Sequence, residues 1–419
     1  MKTKVLVAVM LTVVFGFGAV AFAGMNHIPS TYGLSARSVA LGNAATSLTG
    51  DVSLPYFNQA AMAVTNETLL GISYLYAQPG FEGGLKGGDK ETFDIANQVI
   101  AMGLTVAMDE FLKSARKIAL GFNLALDDNG RAVNRYVDMP YAEGYYYRYG
   151  EANMVFNAGL GFEVVEWFYL GGGVLATFEQ QATYYGDVNL RGKSENEAVE
   201  QKLDLFLTPT ASLWARFNPI SIGIAYRGKL HTDMDMVKVR VDNTIGESQL
   251  NQTNLDLLFK DGFLPATVSL GVSWTITPSV MMAFDLGWQH WGEFDDEMST
   301  GDAAKENISM DWVDIYVPRL GVEYQVVENL FLRFGYGFEK SPVQKPGSDG
   351  FYVLDNDKHM ASFGMGYDLD LGILNYPVSL DATFLHQYLV PRELEASNGT
   401  KFESEGNLNG GMATVTIRF

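Results

Sequence analysis

The 419-residue chain has no cysteine. Disulfides therefore do not hold it together, and no lipid anchor can be attached at a cysteine behind a leader. It is also short of positive charge: 29 Lys and Arg against 49 Asp and Glu leave a net charge of -20. That balance argues against nucleic-acid binding, because phosphate contacts need a positive surface. Beyond residue 23 the chain lacks any uninterrupted apolar stretch near the ~18 residues that a membrane-spanning helix needs. Yet 47% of its residues are hydrophobic and 13% aromatic. Apolar material is dispersed along the chain, not missing from it.

The first 23 residues are the exception. Lys2 and Lys4 precede an apolar run, Val5 to Ala23, that closes in Ala21-Phe22-Ala23. A basic start, a hydrophobic core and small residues around a cleavage point predict a secretory signal peptide over 1–23, cut before Gly24. The competing reading is an N-terminal membrane helix, since the run just reaches spanning length; however, no stop-transfer charges follow it. Removal of the leader makes the net charge about -22.

The ending, Met412-Ala-Thr-Val-Thr-Ile-Arg-Phe419, alternates. Ala413, Val415, Ile417 and Phe419 share one face of a strand, and Met412, Thr414, Thr416 and Arg418 the other. Apolar-out, polar-in alternation closed by a terminal aromatic is the pattern of an outer-membrane β-barrel. The same period upstream predicts about fourteen strands, near 68–80, 92–108, 117–127, 150–164, 167–184, 201–217, 220–234, 263–277, 280–295, 312–327, 330–341, 357–371, 376–390 and 407–419. Tight turns are expected at Val165-Glu166, Phe217-Asn218-Pro219, Thr277-Pro278-Ser279 and Val327-Glu328-Asn329. Longer polar loops are expected near 185–200, 233–262, 295–311, 341–356 and 391–406. Short turns on one side and long loops on the other put the short side in the periplasm.

In 117–127, Ile118, Leu120, Phe122, Leu124 and Leu126 oppose Ala119, Gly121, Asn123 and Ala125. In 220–229, Ile220, Ile222, Ile224 and Tyr226 oppose Ser221, Gly223, Ala225, Arg227 and Lys229. In 330–339, Leu330, Leu332, Phe334, Tyr336 and Phe338 oppose Phe331, Arg333, Gly335, Gly337 and Glu339. A charge facing lipid at the midplane costs roughly 2–4 kcal/mol, so the apolar sets face out and the polar sets line the lumen. Trp167, Tyr169, Trp288, Trp291, Trp312 and Tyr316 are expected as interfacial girdle residues near strand ends. A soluble β-sandwich is the alternative, but it explains neither the leader nor the strand lengths.

Residues 24–65 do not alternate; they are rich in small and turn-forming residues. A barrel of about fourteen strands would otherwise hold water, so this segment reads as a plug, with a flexible periplasmic tail as the alternative. Ala36-Arg37, Gly42-Asn43-Ala44, Asp51, Ser53 and Asn58-Gln59-Ala60 resemble the N-terminal hatch of the FadL-type family of long-chain fatty acid and hydrocarbon transporters. That hatch typically closes in Asn-Pro-Ala; here Gln59 stands in place of the proline. Leu264-Pro265-Ala266-Thr267 through Ser269-Leu270-Gly271-Val272 to Asp285 and Trp291 is similar to the family's mid-barrel hairpin. Leu332-Arg333-Phe334-Gly335-Tyr336, with Ser341-Pro342 and Asp357-Lys358-His359, is similar to its late strands.

The resemblance covers nearly the whole mature chain and implies a leader at 1–23, a hatch at 24–65 and a fourteen-stranded antiparallel barrel at 66–419. It also implies an interior pocket, capture of hydrophobic substrate by extracellular loops, and sideways release at a kink in the third strand, where Gly121 and Asn123 lie. The partners it implies are a long-chain fatty acid or similar hydrophobic molecule, the lipids and lipopolysaccharide of the outer membrane, and barrel-assembly machinery reading the Phe419 strand. The expected protein is a monomer in the Gram-negative outer membrane, and a water-filled general porin or a surface-binding protein is the alternative.

A fatty acid carboxylate would want a cation, best a fork-shaped arginine. The inward candidates are Arg216, Arg227, Lys229, Arg319 and Arg333, each of which has an alternative as half of an ion pair with an inward acid such as Glu163, Glu323, Glu339, Asp368 or Asp381. No enzyme, cofactor or metal is expected. His231, His290, His359 and His386 are scattered, and neither Asp127-Asp128-Asn129-Gly130 nor Asp295-Asp296-Glu297 matches an EF-hand loop. Met139-Pro140-Tyr141 with Tyr145, Tyr146, Tyr147 and Tyr149 is expected as a greasy surface or a girdle in the loop after the third strand.

Overall fold

The computed structural model describes residues 26–93, 96–127, 144–147, 152–153, 155–189, 194–245, 248–294, 297–300, 305–307, 311–344, 351–370, 376–395, 399 and 401–419. The leader 1–23, Met139-Pro140-Tyr141, Tyr149, Asp128–Gly130 and Asp295–Asp296 lie outside the described residues.

Fourteen strands close into an antiparallel barrel. They are β1 (Leu69–Leu85), β2 (Asn97–Ala107), β3 (Ile118–Asp127), β4 (Val155–Val165), β5 (Phe168–Asn189), β6 (Ser194–Phe217) and β7 (Ile220–Arg227). The second half is β8 (Thr267–Thr277), β9 (Val280–Gln289), β10 (Ile315–Val327), β11 (Leu330–Glu339), β12 (Lys358–Leu369), β13 (Val378–Glu395) and β14 (Lys401–Arg418). Each pairs with the next, and β14 closes on β1 from Leu69↔Arg418 to Leu85↔Phe402. The tight turns fall where the sequence places them. Val415, Phe334 and Tyr336 are exposed, whereas Thr414, Thr416, Asn123 and Arg333 are buried.

Three expectations are corrected. Segment 233–262 is not a loop: Leu230–Ile245 and Ser248–Leu264 form a long hairpin lying parallel to β5. Val237, Val239 and Val241 alternate with Lys238, Arg240 and Asp242, so β-branched periodicity persists where the composition is polar. Likewise 185–200 is largely strand, because β5 and β6 pair well past the length a membrane requires. Lastly, Tyr169, Trp291 and Trp312 are buried, not girdle residues. Tyr169 meets Trp214 edge-on, while Trp291 stacks on Trp312 (5.6 Å) beside Phe263 and Phe294. Trp291 belongs to a 3-10 turn, Trp291–Glu293, and Trp312 bridges to Val343, so neither follows its strand's outward face. Trp167 and Tyr316 are exposed, and Trp288 is half-buried.

The plug segment sits inside the barrel. It contains α1 (Ile28–Thr31), α2 (Ala36–Ala40), α3 (Leu54–Phe57) and α4 (Gln59–Thr65). Ser35 and Ser38 form a reciprocal capping box on α2, and Pro55 opens α3 at a position where its missing N–H is harmless. Around it the wall presents inward glycines strand after strand: Gly71, Gly103, Gly121, Gly161, Gly171, Gly223, Gly271, Gly321, Gly335 and Gly364. A Cβ at any of these would lie closer than 3.0 Å to a plug atom, in most cases backbone. Gly121, expected at a kink, is one of them. The β3 pairings with β2 and β4 run without a register shift, and the missing side chain makes room for Met62 and Pro55.

Adjacent glycines on β5 test this seat. A Cβ on Gly171 would fall on the Ala60 amide, whereas one on Gly172 would meet Thr210 O at an ordinary 3.5 Å. Gly171→Ala is expected to destabilise the barrel by about 1–3 kcal/mol through overpacking, and Gly172→Ala by much less. The temperature at which the heat-shifted electrophoretic mobility changes reports both; equal effects would refute the seat.

Candidate functional site

Besides the plug's own backbone bonds, side chains of the plug and of the wall satisfy peptide groups at its helix ends, which short helices leave unpaired. Asn58 caps α4, accepting from Ala60 N and Ala61 N, and its amide donates to Thr46 O (2.7 Å) and Leu213 O (3.0 Å). Gln59 donates to Pro55 O (2.8 Å) and Thr210 Oγ1 (3.2 Å), and Ala60 N donates to Ser212 Oγ. The glutamine thus replaces with two hydrogen bonds the stiffness a proline would give the first turn. Asn123 donates to Val52 O and Trp214 to Ser47 O, so Asn123 holds the plug against β3.

The five candidate cations separate into three settings. Arg333 is consumed by acids below the glycine ring: its Nε meets Glu323 Oε2 at 2.6 Å and its Nη1 meets Asp381 Oδ1 at 2.5 Å. Arg37 of the plug, expected as part of the hatch motif and not as a candidate cation, forks onto the same Glu323 at 3.0 and 3.1 Å and donates to Thr49 O. Arg216 is exposed at the periplasmic end, over the Trp214 ring. Lys229 is exposed at the other end, 2.9 Å from Glu293, and its hydrogen bond holds the Glu293 carboxyl below the usual range.

Arg227 and Arg319 remain, and both line an interior cavity of about 70 Å³. Asp285, Glu339, Lys358, Tyr56 and Trp291 also line it. Arg227 lies over the Tyr56 ring (4.3 Å) and donates to Tyr56 O. Burial pushes the Tyr56 phenol above its ordinary pKa. Arg319 opposes Asp285 across the β9–β10 ladder, and Arg319 Nε and Asp285 Oδ1 are buried without a hydrogen-bond partner. The other Asp285 oxygen accepts from Thr46 N.

Beside this polar corner the inner wall is apolar, contrary to the expectation that polar residues line the lumen. Leu75, Phe81, Leu385, Leu389, Leu408 and Met412 point inward from β1, β13 and β14, and Ile28, Tyr32 and Leu34 of the plug pack in the same cluster. Asn97 donates to Tyr32 OH (2.7 Å) and Gln387 to Thr31 O (2.7 Å), which fixes the segment there. Tyr56, Phe57 and Leu175 belong to both the apolar cluster and the cavity lining. The signal was legible: 384–389, Phe-Leu-His-Gln-Tyr-Leu, carries bulky apolar groups on both faces of a strand.

A closed fourteen-stranded barrel with lipid-facing alternation and an internal N-terminal plug defines an outer-membrane β-barrel transporter. Residues 212–419 match the family of outer membrane protein transport proteins that includes OMPP1, FadL and TodX. Alkane uptake protein A of Marinobacter nauticus is 25% identical over 429 aligned residues, covering 95% of this chain and 92% of that protein. Among solved structures, a Pseudomonas aeruginosa FadL homologue shares the fold at a TM-score of 0.61 and 14% identity, covering 96% of this chain and 99% of its own. The Pseudomonas putida toluene transporter TodX does so at 0.55 and 12%, covering 93% and 99%. The FadL-type resemblance read from the sequence is borne out.

The charge cluster under the plug makes a quantitative claim. Arg37→Met leaves Glu323 with Arg333 as a partner and is expected to cost about 1.5–3 kcal/mol, while adding Glu323→Met recovers part of that loss. A double-mutant cycle from thermal unfolding checks it, and strictly additive losses would show that the pair is not coupled.

Proposed function

We propose that the protein carries long-chain fatty acids across the outer membrane without energy of its own. The observation that carries this reading is Arg319 Nε, buried and unpartnered in a polar cavity that adjoins an apolar wall. A carboxylate would satisfy the arginine while each methylene laid on the wall gains roughly 0.8 kcal/mol. The second reading is a neutral hydrocarbon, favoured by the similarity to an alkane uptake protein. Uptake of labelled palmitate and labelled hexadecane into cells lacking their own transporters separates the two. Arg319→Met is expected to weaken palmitate uptake by about 10–100-fold, the worth of a charge-assisted hydrogen bond of roughly 1.5–3 kcal/mol, with hexadecane uptake unchanged. Unaltered palmitate uptake would decide for the hydrocarbon.

The buried plug supports a closed channel over a general porin. Its seat on the glycine ring supports sideways release through the wall, with β3, β4 and the plug face of Gly121 and Asn123 as the gate. Leu120 and Leu160 oppose each other across that seam. A Leu120→Cys, Leu160→Cys disulfide is expected to stop uptake and a reductant to restore it; undiminished uptake in the oxidised protein places the exit elsewhere. The proposed route to this state is cleavage of the leader after Ala23, insertion by barrel-assembly machinery reading the Phe419 strand, and residence as a monomer among outer-membrane lipids and lipopolysaccharide.

A further inference from the structure

The periplasmic turns at 166–167, 218–219, 278–279 and 328–329 are minimal, but the turn between β2 and β3 is not. It contains a single helical turn, Asp109–Leu112, at whose end Phe111 and Leu112 are 68% and 52% exposed. Backbone bonds hold this shape: Leu112 N donates to Met108 O and Ser114 N to Asp109 O, with Lys113 in the left-handed region at φ 53. Side chains then tie it to the plug and to β4. Asn66 donates to Asp109 (3.2 Å), Lys117 Nζ to Val64 O (3.1 Å), and Lys117 N to Glu163 (2.9 Å). Two large apolar groups are thereby held outside the fold, at a fixed place on the rim.

Their neighbours identify what they meet. The lipid-facing belt reaches this rim through the exposed Phe162, Trp167 and Phe217, the last two 5.7 Å apart, so Phe111 and Leu112 continue an existing lipid-contacting surface. Exposed Lys113 and Arg116 flank them, in a chain of net charge -20. Apolar groups backed by cations are what an anionic phospholipid surface selects. We propose that residues 109–117 are an interfacial anchor: Phe111 and Leu112 enter the periplasmic leaflet, and Lys113 and Arg116 meet phospholipid phosphates. The anchor fixes the base of β3 and the end of α4 to the leaflet.

The chain has no cysteine, so full-length protein carrying Phe111→Cys, Leu112→Cys or, as reference, Ser279→Cys takes a single spin label. In nanodiscs of phosphatidylethanolamine and phosphatidylglycerol, labels at 111 and 112 are expected to collide more with oxygen than with a water-soluble nickel chelate, and the label at 279 the reverse. Adding Lys113→Gln and Arg116→Gln is expected to shift the ratio at 111 toward the aqueous value, more so with phosphatidylglycerol than without it. Heat-shifted mobility verifies that each variant is folded. Ratios at 111 and 112 matching that at 279 would overturn the anchor. The proposal equally fails, in favour of a protein-docking surface, where both labels are aqueous in nanodiscs and become protected only on adding periplasmic extract.

Discussion

The structure depends on how closely the backbone of the plug approaches the inner wall of the barrel. Helices of four to seven residues satisfy few of their own peptide groups, and a peptide group buried without a partner is costly. The wall resolves this with two kinds of residue. Glycine removes the Cβ where plug backbone must touch strand, as Gly335 does for Gly42 and Gly223 for Thr46. Short polar side chains then reach across: Thr414 Oγ1 accepts from Ala36 N, Thr383 donates to Ala36 O, and Ser73 to Leu34 O. Glycine within a strand costs about 0.5–1 kcal/mol relative to alanine. That so many strands carry one at a single level is explained by the plug and not by the barrel alone.

Charge follows the same logic. Glu323 lies between Arg37 and Arg333, and Asp381 takes the other side of Arg333, so this part of the interior is paired within itself. Such a cluster is weak evidence for stability, since desolvation offsets much of the attraction. Its geometry is nonetheless specific, because the fork of Arg37 meets both oxygens of one carboxylate and fixes α2 against β10. Arg319, by contrast, keeps an unpartnered Nε although Asp285 opposes it.

Strand number, strand faces, tight turns and plug were legible because each rests on a local period or on a turn residue. Gly223, Arg227, Gly335 and Glu339 face inward as their alternation requires. What was not legible depended on pairing across the barrel. Arg333 and Arg319 are equivalent in pattern, each an inward arginine flanked by apolar residues; Glu323 and Asp381 on nearby strands occupy Arg333, while Arg319 keeps an unpartnered Nε. The inward Leu385 and Leu389 look like members of a doubly apolar strand, and that they face plug residues is a fact of tertiary structure. The hairpin at 230–264 was missed for another reason: polar composition outweighed the valine period that builds it.

The coexistence of a polar corner and an apolar wall bears on which cargo the interior suits. Arg227, Arg319 and Lys358 face Asp285 and Glu339, so the corner carries an excess of one positive charge, and Lys358 stands 3.6 Å from Glu339. A neutral hydrocarbon on the apolar wall would leave that excess and the Arg319 Nε as they are. A carboxylate would cancel the one and pair the other, and burying a charge is tolerable only with such partners. An arginine kept partly unpaired in the interior carries a standing desolvation cost, which an amphiphile with an anionic head removes and an alkane does not. The corner therefore gains from a headgroup in proportion to what it lacks, while the wall gains from length alone.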